Sequence, residues 1–439
     1  MLRATSRSFT SCSRLGAAVS RGKPQGFAKK AGSNGRTAAK KVSAGSLYKS
    51  WDQTVATSQF NRNASPVALP KFESKDVSKS LNEVVSYSSS QYKALYHLGS
   101  FKQNQRHELF PRPVSLVREA TTRRLFDAIK NSGDRKFVLT GEPGVGKSTL
   151  LTQVHALAVE QKSVILNISH PDLFLDGRND FYHDGKEYVQ PMYLKRLFSK
   201  LLKSNDADIL ASIPLKDDHK LLGQATKESS VGKSSILTAK RHTLLDLLSF
   251  KAAPRSRGEQ FTAVIKELMN QANVPVFVTV DNFSRMLSEP FSAYKDTANR
   301  NVHIFSLQLG RTIMDIVSGK IGSQNSKSCV ILATSGSDRT NRTLPIGLGK
   351  LDHDPYIRLK HYEPKLAELL KEGQVKEFMV EKLTKEEVKQ LLKFYLKSEI
   401  FLKRDSQDKE FDQVVDEKYF LSGNGNPREL LKSLVLHMA

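Results

Sequence analysis

Eight consecutive residues, Gly141, Glu142, Pro143, Gly144, Val145, Gly146, Lys147 and Ser148, satisfy the spacing G-x-x-x-x-G-K-[ST], and Thr149 follows directly. Their types state the chemistry. Glycines let backbone N–H groups turn inward around an anion, and a helix opening at the lysine adds its positive end. At this spacing Lys147 reaches the β- and γ-phosphates of a nucleotide, and the Ser148 hydroxyl ligates magnesium. A second run, "VFVTVD", is apolar and ends in Asp281, a carboxylate at a strand end on the magnesium side of such a site. The structural alternative is an aspartate that caps the next helix. The following residue is Asn282, whose neutral amide can orient water but cannot take its proton. Another residue, such as Glu142 inside the loop, could position water instead. "CVILATSGSD" ends its apolar run in Thr334 and Ser335, polar groups at the edge where a γ-phosphate would lie. In "LSGNGNPRELL" a Gly-Asn-Pro turn precedes Arg428, which either reaches the phosphates or marks a surface turn. "VGKSS", Val231 to Ser235, also contains Gly-Lys-Ser. The first glycine of the pattern would there fall on Lys227 and no strand precedes it, so it reads as a loop.

These groups need strands to present them. "KFVLT" leads into the glycine loop, "STLLTQVHALAVE" reads as the helix after it and "SVILNIS" as a buried strand. "FTAVIKELMNQ" and "VHIFSLQLGRTIMDIVSG" read as helices, and "PYIRLKHY" as a further short strand. Strands alternating with helices imply an α/β fold with a parallel sheet covered on both faces. "SLVREATTRRLFDAI" carries Leu116, Val117, Ala120, Leu125, Ala128 and Ile129 at helical spacing. "TKEEVKQLLKFYLKSEIFL" places Val388, Leu391, Leu392, Tyr395 and Leu396 on one face, behind a capping box. The chain divides into a targeting segment and basic linker (1–45), an extension that wraps a partner or the core (46–113), a nucleotide-binding domain (114–365) and a C-terminal helical lid (366–439). A long polar and basic insertion, about 170–260, shows no clean strand.

The charge narrows the partners. The net charge of the chain is +23. The first 50 residues hold eleven Lys or Arg and no acid, so removing them leaves +23 minus 11, or +12. A positive surface of that size attracts polyanions, RNA or DNA foremost, where a smaller excess would serve solubility alone. The acid-free start, rich in Arg, Ser and Ala, has the composition of a mitochondrial transit peptide; a basic tail that contacts nucleic acid is the alternative. Further basic segments are "YLKRLFSKLLKS", "KAAPRSRG", "DRTNRT" and "FKQNQRHELFPRP". No apolar run is long enough to span a bilayer. Two cysteines, Cys12 and Cys329, do not make a disulfide framework or a cysteine zinc site.

Taken in order, "GEPGVGKST", the Asp184-to-Pro191 segment, "VTVDNFSRML", "ILATSGSD", "LGKLDHDPYIRL" and "LSGNGNPRELL" resemble the death-associated protein three family of mitochondrial small-subunit ribosomal proteins, from about Val114 to the C-terminus. The resemblance implies a P-loop NTPase fold of the AAA/STAND-like branch and a place in the head of the mitochondrial small ribosomal subunit. It implies small-subunit rRNA and ribosomal proteins as partners, no homo-oligomer, and a bound purine nucleotide, GTP or GDP, with magnesium. Carried onto this chain, the phosphate loop is Gly141 to Thr149 and the magnesium-side acid is Asp281. No N/T-K-x-D guanine motif follows the "ILATSGSD" strand, and "TKEE" at Thr384 reads as a helix start, so ATP stays open beside GTP and GDP. The expectation is a structural ribosomal constituent that holds its nucleotide with weak or absent turnover. The rival is a free mitochondrial AAA- or STAND-type NTPase that remodels a partner, which would want a glutamate after Asp281.

Overall fold

The computed structural model describes residues 44–57, 67–102, 105–110, 112–131, 135–224, 234–337, 340–353, 355–357, 361–402 and 409–435. Residues 1–43 of the expected targeting segment, and the Val-Gly-Lys of "VGKSS", lie outside them. Tyr48–Ala439 forms one compact unit; of the other, Met1–Leu47, the described part is the start of a helix, Ala44–Thr57.

Five strands build the central sheet: β1 (Lys136–Thr140), β2 (Val164–Ile168), β3 (Val276–Asp281), β4 (Cys329–Ala333) and β5 (Lys376–Met379). They are all parallel, in the order β5-β1-β4-β3-β2. Ala333 stands level with Leu139 on one side and Asp281 on the other. The polar ends of β1, β3 and β4 therefore open together on one edge, where parallel α/β sheets bind their ligands.

Side chains alternate across the sheet. Val138, Leu166, Val278, Val280 and Leu332 face a cluster with the helices Pro191–Ser204, Arg257–Asn270, Gln308–Ser318 and Pro364–Glu372. Phe137, Leu139, Ile165, Phe277 and Ile331 face the opposite cluster. There they meet α1 (Lys147–Glu160), the helix after the glycine loop, while α2 of the lid (Lys385–Lys397) packs in a separate cluster.

The N-terminal extension covers this second face. Phe72, Val85, Tyr87, Tyr92, Leu95 and Leu98 are buried in the same cluster as α1. Of its two expected roles, the extension thus fills that of wrapping the core. Hydrogen bonds reinforce the apolar contact. Ser74 N and Gln91 Nε2 donate to the Glu160 carboxylate at 2.8 and 2.7 Å, and Asn167 Nδ2 donates to Leu98 O at 2.7 Å. His155, fully enclosed, lies 2.9 Å from Ser100 Oγ through Nδ1 and 2.9 Å from Thr279 Oγ1 through Nε2.

Several elements depart from the sequence reading. "SLVREATTRRLFDAI" is not one helix: Val114–Leu116 pairs with Val84–Ser86 as a strand, a π-turn spans Glu119–Arg123, and the α-helix proper is Arg124–Asn131. The start of "VHIFSLQLGRTIMDIVSG" forms a strand, Asn301–His303, and a tight turn, leaving the helix at Gln308–Ser318. The insertion contains two small hairpins, Tyr182–His183 with Tyr188–Val189 and His219–Leu222 with Ser234–Leu237. In "PYIRLKHY", residues 355–357 and 361 lie in turns, and 358–360 fall outside the described residues. The fifth strand is instead Lys376–Met379, beyond the expected 365/366 boundary, so the sheet reaches further along the chain than the pattern indicated. Its alternating "KEFM" is short and polar because it lies at the sheet edge.

Burial holds the His155 pKa down to about 3, with Lys200 adding repulsion. The unfolded chain binds a proton near pH 6.5 that the folded chain refuses, so stability is full above that value and falls as pH drops toward 3. Between about pH 7 and about pH 5 the wild type is expected to lose about 2 kcal/mol more than a His155→Gln variant. Urea denaturation of both proteins at the two pH values checks this.

Candidate functional site

The loop after β1 turns through three glycines of positive φ, Gly141 (134°), Gly144 (88°) and Gly146 (101°). Only glycine accepts such angles freely, and they turn successive N–H groups into the loop. Gly144 has a second reason to lack a side chain: a Cβ there would lie 2.7 Å from both Arg428 Cβ and Asn426 Oδ1. The lid sits directly on the loop. α1 begins at Lys147 with its positive end aimed at this concavity.

Lys147 is 5% exposed, and its Nζ donates to Gly141 O at 2.8 Å and Glu142 O at 2.6 Å. Burial lowers its pKa to about 8, against the opposing pull of Asp281 and Glu142. An anion in the loop would offer the ammonium a better partner than these carbonyls. Ser148 Oγ donates to Asp281 Oδ1 at 3.2 Å. The same oxygen accepts from Asn282 N at 2.8 Å, at the start of the turn that follows. Its other oxygen is in an ion pair with Lys102. Among the described residues no group of three or more His, Cys, Asp or Glu could hold a metal. Ser148 and Asp281 fit magnesium only as partial donors, since that ion completes its shell with phosphate oxygens and water.

The remaining candidates have definite partners. Asn282, at φ 58°, donates through Nδ2 to Asp172 Oδ2 at 3.3 Å. Glu142 Oε2 lies 3.1 Å from Lys382 Nζ at the root of the lid. Thr334 Oγ1 donates to Leu139 O at 3.0 Å, and Ser335 Oγ lies 2.9 Å from the hydroxyls of Ser284 and Ser337. Arg428 is exposed at the turn, and its stem passes over Gly144 of the loop. Asn426 Nδ2 donates to Pro143 O at 2.9 Å beside it.

A cleft of about 1190 Å³ runs from this loop to an apolar end lined by Val84, Leu116, Leu391, Phe394, Tyr395 and Leu431. It is large enough for a small-molecule ligand of nucleotide size. Arg118 locks that far end. Its Nε donates to Glu387 Oε1 at 2.9 Å, Nη1 to Glu381 O at 2.9 Å and Nη2 to Lys382 O at 2.7 Å. Glu387 also accepts from Thr384 N at 2.8 Å, completing the box that starts α2. Lys102, Arg118 and Asn426 are the site residues that the sequence did not single out. Lys102 does lie in the basic segment "FKQNQRHELFPRP", and Glu387 in the capping box.

A five-stranded parallel sheet of this order, with a phosphate loop after β1 and an aspartate ending β3, defines a P-loop NTPase fold. The family model described as mitochondrial ribosomal death-associated protein 3 matches residues 115–433, and the chain belongs to that family. Its compartment is the family's, the mitochondrion. A curated relative is the small ribosomal subunit protein mS29 of Schizosaccharomyces pombe, 22% identical over 340 residues, 75% of this chain. The match spans 66% of that relative's length. Among solved structures, Cdc6p from Pyrobaculum aerophilum matches over 73% of this chain and 59% of its own, with 10% identity and a TM-score of 0.31. Among the described residues no helix is long and apolar enough to cross a membrane.

Arg118 and Glu387 are only 7% and 5% exposed, so removing one leaves the other charged and unpaired. Arg118→Ala is expected to destabilise the protein by about 3–5 kcal/mol. Arg118→Met with Glu387→Leu should cost less than the sum of the single changes, and a double-mutant cycle in urea measures the coupling.

Proposed function

We propose that this protein is a constituent of the mitochondrial small ribosomal subunit, and that its cleft holds a purine nucleotide, GTP, GDP or ATP, as a structural ligand with weak or absent turnover. The family and the relative's description support the ribosomal part. The remaining charge of +12 suits contact with small-subunit rRNA as well as ribosomal proteins. The observation that carries the nucleotide part is the closed phosphate loop, with Lys147 buried over two carbonyls and the lid seated on Gly144.

Each residue then has a task. The N–H groups of Gly144 to Thr149 surround the β-phosphate, and Lys147 exchanges its carbonyl partners for the β/γ-oxygens. Arg428 approaches from the lid. Magnesium, when bound, neutralises phosphate charge, with Ser148 and Asp281 the residues that would hold it. Of the two groups expected to handle water, Asn282 is an amide engaged by Asp172, and the Glu142 carboxylate is paired with Lys382. Loss of general-base help costs about 10²–10⁴-fold in rate. A ligand bound to the folded state alone still contributes stability, about 4 kcal/mol at a thousandfold excess over Kd. That serves a component whose sheet and lid must keep one relative orientation.

Lys147→Ala removes a charge-assisted contact of about 1.5–3 kcal/mol and is expected to weaken GDP and ADP binding at least about tenfold with the fold intact. Calorimetry measures this, and unchanged affinity would remove the nucleotide role. On sucrose gradients of mitochondrial extract at low salt, the protein is expected in the small-subunit peak. Its presence only in the free soluble pool would contradict the ribosomal role. Rising salt should strip part of the contact, because phosphate binding releases counterions.

A further inference from the structure

An ammonium meets Asp281 where the fold would place a divalent cation. Lys102 comes from the N-terminal extension, 179 residues away in sequence, yet its ion pair with Asp281 leaves the two side chains only 12% and 9% exposed. It is not a loosely held surface lysine. Its backbone N–H donates to Gln105 Oε1 at 3.1 Å. The preceding Phe101 stacks on Trp51, with centroids 5.6 Å apart and rings 10° from parallel, and meets His107 edge-on at 5.3 Å. Behind Phe101, the Ser100 hydroxyl is tied to the buried His155 of α1.

We propose that Lys102 is a built-in cation of the nucleotide site, supplying beside the phosphates the positive charge that a divalent ion otherwise supplies, so that nucleotide is retained without metal. This rests on the nucleotide reading given above. Both oxygens of Asp281 are engaged, one by Ser148 and Asn282 and the other by Lys102. A metal ion would have to displace an anchored ammonium to reach that carboxylate. A lysine ammonium has three N–H donors, so Lys102 can hold Asp281 and still donate to a phosphate oxygen. With Lys147 on the loop, two ammonium groups then flank the phosphates. A Lys102 ammonium balances charge but does not acidify a bound water as a metal does, which agrees with holding in place of turnover.

The test is equilibrium dialysis of the full chain with tritiated GDP and with tritiated ADP, in excess magnesium and in excess EDTA. Wild-type affinity for the nucleotide that binds is expected to differ by less than about threefold between the two buffers. Lys102→Gln should lose at least about tenfold in EDTA and recover in magnesium, while Lys102→Arg keeps metal-independent binding. Wild-type affinity that collapses in EDTA overturns the proposal, whether or not the variants fold, and means that Lys102 merely covers Asp281 in the empty protein. Equal affinity of wild type and Lys102→Gln in EDTA overturns it too. Binding of neither nucleotide by folded wild type in either buffer overturns the nucleotide reading itself, and this proposal with it.

Discussion

A carboxylate enclosed at the end of a central strand has to be paired, because an unpaired buried charge costs several kcal/mol. Asp281 satisfies that requirement with two distant pieces of chain and the turn that follows it. Ser148 comes from the helix of the phosphate loop, the Asn282 amide from its own turn, and Lys102 from the N-terminal extension. The position of β3 in the sheet, between β4 and β2, fixes where this carboxylate stands. The loop, the extension and the turn after β3 are then placed relative to one another by a single side chain.

Polar contacts join the lid to this centre from two sides. Arg118 grips the root of the lid from the extension side, spreading its guanidinium over Glu387 and two carbonyls. Asn426 and Arg428 close on Pro143 and Gly144 from the other. The cleft lies between these attachments, so a ligand in it touches the sheet, the extension and the lid together. Such a ligand gains contacts only when all three are assembled. This is the physical basis for the proposed structural role of a nucleotide, and the same closure would slow its exchange, since release must wait for the lid to open.

Much of this was legible in the residues. The phosphate loop and the strands around it rest on local pattern: β2 and β3 are near-continuous apolar runs, as strands covered on both faces must be. The capping box at Thr384 and Glu387 fixed the start of α2. What escaped detection depends on partners far along the chain. β5 is four residues at a sheet edge and looks like a polar loop until its pairing with β1 is known. Val114–Leu116 falls within an apparent helical period but pairs with Val84–Ser86, a long-range contact that overrides local spacing. Lys102 and Arg118 are two among many basic residues, and their types alone do not distinguish a buried ion pair from a solvated face.

The central claim is that the site holds its nucleotide and does not use it up. The direct measurement is to load the purified full chain with GTP or ATP in magnesium, then follow release and hydrolysis over hours. The account predicts that nucleotide leaves slowly and that hydrolysis is slow or absent. Multiple turnovers per minute, abolished by Asp281→Ala without loss of binding, would contradict it.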